Sequence, residues 1–153
     1  MSAAVQQLVT FTLDEQCFAL QLDSVERVVP IAEITPLPAA PDVILGVINI
    51  RGAIVPVINI RRRFGLATRE LRLSDRMLIA RTSRRAVALV ADAVLGVVPK
   101  LQTAISTVDG ISRDRKYVAG VVQLESGLTL IHDLETLISQ DEELVLERAI
   151  APL

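Results

Sequence analysis

A hairpin that appears twice sets the tightest limit on what this chain can fold into. Residues 46–60 read GVINIRGAIVPVINI, two β-branched runs meeting at Arg51-Gly52. A weaker copy, GVVQLESGLTLIHDL, occupies residues 120–134. Apolar runs joined by so short a turn signal are paired strands rather than helix. The duplication reaches further, because ALQLDSV at 19–25 stands against ALVADAV at 88–94. Each half then reads strand, Asp-led turn, strand, loop, hairpin, short helix. Short strands with no long helix between them predict barrels or sandwiches rather than βαβ units. The reading is two small β-barrels of about five strands each. One larger sandwich is the alternative.

Local patterns fill in the elements. Residues 8–13 and 16–22 predict a hairpin across Asp14-Glu15. Asp23, three residues before Glu26, predicts a capping box opening one helical turn. A third strand follows from Val28. Pro36, Pro38 and Pro41 make residues 35–42 a stiff loop. Pro56 cannot donate to a ladder, so its strand should be an edge or bulged there. Residues 61–65 predict a short helix stopped by Gly65, and residues 68–75 a polar, exposed stretch. Residues 76–82 and 86–91 predict another hairpin, and residues 102–116, with Asp109-Gly110 as a turn, a mobile loop. Ser139 and Glu142 predict a capping box for a final helix with Leu144, Val145 and Ala149 on one face.

Little in the chain offers chemistry. His132 is the only histidine and Cys17 the only cysteine, which leaves no internal disulfide and no zinc spacing. No Gly-x-Ser-x-Gly elbow and no phosphate-binding loop is present. His132 and Asp133 should face opposite ways along a strand. Asp23 and Asp92 sit where helix caps belong. The reading is therefore a non-enzyme without cofactor or metal. No apolar run approaches the roughly 20 residues that span a bilayer, and no signal peptide is visible, which predicts a soluble cytoplasmic protein. Net charge is −2, yet residues 51–85 hold ten of the sixteen basic residues, all Arg. Aromatics are only 3%, too few for base stacking, so this cluster reads as a solvated face or a dock for an acidic protein. A small β-barrel nucleic-acid binder is the weaker alternative. Val25 and Val28, the Pro-rich loop and the Arg51-Gly52 turn could border one groove between the halves.

Residues 46–61 also resemble a motif of the CheW family of chemotaxis coupling proteins: Gly46, Asn49, Arg51, Gly52, the Ile54-Val55-Pro56 run and Arg61. The resemblance runs from about Val9 to Arg148. It implies a single domain over residues 7–150, made of two intertwined five-stranded SH3-like β-barrel subdomains (approximately 20–82 and the remainder) with short helices and a C-terminal helix. It implies a cytoplasmic, non-enzymatic adaptor at receptor arrays, bridging the chemoreceptor tip to the regulatory domain of the histidine kinase CheA. Such a protein meets the membrane only through receptors and binds no nucleic acid. By resemblance, Val25, Val28, Gly46, Asn49, Arg51 and Gly52 engage the receptor or shape that surface, while the kinase contact stays unplaced. Two positions depart from the family pattern. Arg27 stands where a glutamate pairs with the motif arginine, so Arg51 should turn to Glu26 or Glu33 or stay solvated. Asn59 replaces the motif's aspartate, whereas the second copy keeps Asp133. Both departures suit an array serving an output other than flagellar motility.

Overall fold

The computed structural model describes residues 4–107 and 117–151. It is mainly β. The strands are β1 (Val5–Leu13), β2 (Gln16–Gln21), β3 (Val25–Pro30), β4 (Ile44–Ile50), β5 (Ala53–Ile58), β6 (Arg76–Arg81), β7 (Ala86–Ala91), β8 (Ala93–Leu101), β9 (Ser106–Thr107), β10 (Val118–Leu124) and β11 (Gly127–His132). Helix α1 spans Ile60–Arg63 and α2 spans Gln140–Ile150. Two sheets result, ordered β8-β1-β2-β11-β10-β9 and β3-β6-β7-β5-β4. The two-residue β9 accounts for the sixth strand of the first sheet.

The sequence repeat reappears as a repeat of joints. In one sheet β2 lies parallel to β11, pairing Ala19 with Ile131. In the other β7 lies parallel to β5, pairing Ala88 with Val57. These are matching positions in the two copies, so each sheet combines a hairpin from one half with strands from the other. A second matched pair concerns glycine. The chain leaving β3 crosses to β4, where Thr35 and Val47 exchange backbone hydrogen bonds of 2.9 and 2.8 Å. The chain leaving β8 crosses to β10 through β9. A Cβ on Gly46 would lie 2.3 Å from the Thr35 carbonyl oxygen, and one on Gly120 would lie 2.9 Å from that of Ser106. Each crossing therefore needs glycine beneath it.

The same bridge accounts for Pro56. Val47 spends its N–H and C=O on Thr35, so towards its partner Pro56 it forms a non-hydrogen-bonded pair. The Pro56 nitrogen then faces the side where pairing with β7 begins only at Val57. The strand is interior, but its proline occupies a place that asks for no donor.

Alternate residues feed different cores. On β6, Leu78 enters a large central cluster with Phe11, Phe18, Leu89 and Leu146, while its neighbours Met77 and Ile79 join Val55 and Val57 in a second cluster. On β1 and β2, Leu8 and Ala19 enter a third cluster with Val122 and Ile131. Strands buried on both faces read as near-continuous apolar runs.

Several local expectations need correction. Leu22–Ser24 forms a 3-10 turn whose preceding residue is Gln21 and which has no side-chain cap, so Asp23 is not a cap and β3 begins at Val25. Asp92 caps nothing either; it is an ion-pair centre. On α2 the capping box is present, with Ser139 and Glu142 bonded reciprocally at 3.1 and 2.9 Å. Its buried face, however, is Glu143 and Leu146, while Leu144 and Val145 are exposed. Arg85 pairs with Glu143 and admits that carboxylate to the interior. Residues 102–107 form a 3-10 turn and β9 rather than loop. The rest of the expected mobile loop, with Asp109-Gly110, lies outside the described residues.

Candidate partner-docking site

The β4–β5 hairpin closes on a two-residue loop, with Ile50 opposite Ala53. Arg51 and Gly52 both take positive φ, 52° and 87°, the pattern of a type I′ turn. The Asn49 side-chain oxygen accepts from the Gly52 N–H at 2.8 Å and locks the turn. Asn49, Arg51 and Gly52 thus form one unit. Gly46, on the same strand, lies under the Thr35 crossing. Arginine in the left-handed region is costly, and glycine or asparagine would fit better. Arg51 is exposed and makes no ion pair among the described residues.

Val25 and Val28 lie on β3, at the other end of this sheet's strand order. Val25 is half-buried against the central cluster; Val28 is 42% exposed. The Thr35–Val47 bridge brings this strand's continuation back to the hairpin. Glu26 does not pair with Arg51; it accepts from Arg81 Nε at 2.8 Å.

Four of the ten arginines at residues 51–85, Arg61, Arg63, Arg69 and Arg85, are half-buried and ion-paired, while the other six are exposed as a solvated face would be. Arg61 bonds Asp14 at 2.8 Å and Asp92 at 2.7 Å; Arg69 bonds Asp75 at 2.7 Å and Asp92 at 2.6 Å. Arg63 bonds Glu142. The stretch 68–75 is largely exposed, as its polarity predicts, but Asp75 at its end is 1% exposed. Burial pushes the Asp75 and Asp92 carboxyls up, but hydrogen bonds from Arg69, Arg61 and backbone N–H groups outweigh it and hold both below the usual range. Sequence reasoning missed this network, because its members are spread from residue 14 to residue 92. A pocket of about 280 Å³ opens beside it, lined by Ile34, Leu45, Ile58 and Leu71 with Arg61 and Arg69. Val25, Val28, Arg51 and Gly52 do not line it.

Asn59 is half-buried at the start of α1. Its side chain accepts from the Arg62 N–H at 3.2 Å and caps α1, and Asp133 does the same for the 3-10 turn at Leu134–Thr136. Asparagine and aspartate cap equally well, so the exchange leaves this joint intact. His132 is 4% exposed among Phe11, Phe18 and Phe64, and neither ring nitrogen has a hydrogen-bond partner. No general base can be built from it. Among the described residues no set of metal-ligating side chains gathers, and no helix is long and apolar enough to cross a membrane.

Comparison with known proteins follows the same lines. Residues 7–142 match the CheW-like domain family. The chemotaxis protein CheW of Thermotoga maritima is 29% identical over 134 residues, covering 88% of each chain. That of Treponema pallidum is 28% identical over 144 residues, covering 89% of this chain and 84% of its own. The crystal structure of the scaffolding protein TtCheW from Thermoanaerobacter tengcongensis superposes with a TM-score of 0.82 at 29% identity, covering 91% of this chain and 96% of that one.

Proposed function

The chain belongs to the CheW-like domain family, and from that membership we propose that it is a non-enzymatic adaptor that couples chemoreceptors to the histidine kinase CheA. Scaffolding in chemotaxis is the family's work; the two partners are our assignment. Val25, Val28, Gly46, Asn49, Arg51 and Gly52 make or shape the receptor contact, and the kinase contact is left unassigned. The observation that carries this reading is Arg51, an exposed arginine held at φ 52° by a locked turn. A strained residue with no ion-pair partner among the described residues is explained by an external one. Most of the arginine cluster, by contrast, is neutralised by carboxylates, which argues against phosphate binding.

Such contacts are modest singly and gain strength through array avidity. Receptor-containing membranes, CheA and the full chain should co-sediment as a ternary complex, and failure to assemble with any cognate pair would sink the reading. Arg51→Ala should weaken receptor coupling by about tenfold with little change in Tm. Arg51→Gly should weaken it equally while raising stability by about 0.5 kcal/mol, because glycine removes the left-handed strain. A fall in Tm with unchanged coupling would make Arg51 structural instead.

A further inference from the structure

A plug and a socket lie side by side on the loop before β6. Leu73 is 90% exposed, more than any other large apolar side chain among the described residues. It sits at the tip of a turn in which the Asp75 N–H donates to the Arg72 carbonyl at 3.0 Å and the Arg72 N–H donates to Asp75 Oδ2 at 2.8 Å. Leu71 and Asp75, on either side of that tip, both line the pocket of about 280 Å³, whose other apolar walls include Ile34, Leu45, Ile58 and Val90. Leu73 therefore stands at the rim of a pocket it does not fill. The space is enough for an aliphatic side chain, since an apolar cavity of about 150 Å³ accepts benzene. Glu70 and Arg72 are exposed, and among the described residues neither side chain makes an ion pair; their backbone groups alone are engaged. We infer that this patch binds a second copy of the chain across a twofold axis. Residues 70–73 read ELRL. Laid antiparallel on itself about Leu71, the segment sets Glu70 of each copy against Arg72 of the other. The same alignment sets Leu73 level with Arg69, a residue of the other copy's pocket. A patch that supplies both charges and both apolar partners is self-complementary, as an isologous interface requires. Val25, Val28, Arg51 and Gly52 do not line this pocket, so the pair would carry two sets of those residues and bind an array with greater avidity.

The test is sedimentation equilibrium of the full chain over a concentration series, at low and high potassium chloride, with Tm measured alongside. A patch this small predicts a weak dimer, with a Kd of about 100 µM that rises with salt. Leu73→Ser should raise Kd about tenfold or more, because it removes both plugs. Glu70→Arg and Arg72→Glu each set like charges together on both sides of the axis, and each should raise Kd about tenfold. The two combined restore opposite charges and should return Kd to within about threefold of the parent. Tm should hold in every variant, since Glu70 and Arg72 keep their places through backbone groups. A chain that stays monomeric at millimolar concentration overturns the inference. So does a dimer indifferent to Leu73→Ser, or a double charge variant no tighter than the singles. A monomeric parent whose Leu73→Ser form fails in the ternary co-sedimentation gives the patch to another protein and overturns the inference too. The adaptor reading, tested separately by that co-sedimentation, does not fall with it.

Discussion

His132 shows how one residue can be legible by type and misleading by role. As the only histidine it invites a catalytic reading. In the fold it stacks against Phe64 at 4.2 Å and Phe18 at 4.8 Å, and it stands where the first copy has Ile58. Burial, with no partner to offset it, pushes its pKa down to about 3. The sign follows from proton binding. The unfolded chain takes the proton near pH 6.5 and the folded chain only near 3, so stability falls as pH drops through that window. Urea unfolding should show about 2 kcal/mol lost through this group between pH 7 and pH 5. His132→Leu should abolish that slope; a variant as pH-sensitive as the parent would place the cause elsewhere.

Among the elements, the hairpins were the legible part and the helix face was not. β-Branched alternation and a two-residue turn specify a hairpin locally. The glycine opening each copy has a reason only in three dimensions, where another strand crosses it. Gly46→Ala should therefore cost about 3 kcal/mol or more, since the Thr35 backbone must move. Gly52→Ala should cost about 1 kcal/mol, since only its positive φ is at issue and no atom lies near. Thermal unfolding of the two variants checks that order. On α2, periodicity selected Leu144 and Val145 because they are apolar. The buried turn is instead entered by Glu143, made tolerable by Arg85 from the β6–β7 loop. A helix pattern cannot reveal a neutralising partner 58 residues away.

At the scale of the molecule, the five-residue network of Asp14, Arg61, Arg69, Asp75 and Asp92 ties the β1–β2 turn and the β7–β8 junction to α1 and the loop after it. Both halves of the repeat contribute. Removing one acid leaves partly buried guanidinium groups under-paired, so Asp92→Ala should cost about 3 kcal/mol in chemical denaturation. Asp75 and Asp92 titrate below the unfolded carboxylate range. Their contribution is thus present at neutral pH and lost as pH falls through their depressed values. Asp92→Ala should accordingly unfold with a shallower acid limb than the parent. An unchanged limb would mean the network carries no linkage.

The β class, the duplicated hairpins, the Arg51-Gly52 turn and the α2 capping box were readable along the chain, because each depends on residues within a few positions of one another. The exchange of hairpins between halves, the glycines under crossing strands, the aspartate network and the lack, among the described residues, of any acid paired with Arg51 came only with the tertiary structure. Those features depend on which distant segments meet. Pairing of buried charge is a property of neighbours in space, and periodicity carries no information about it.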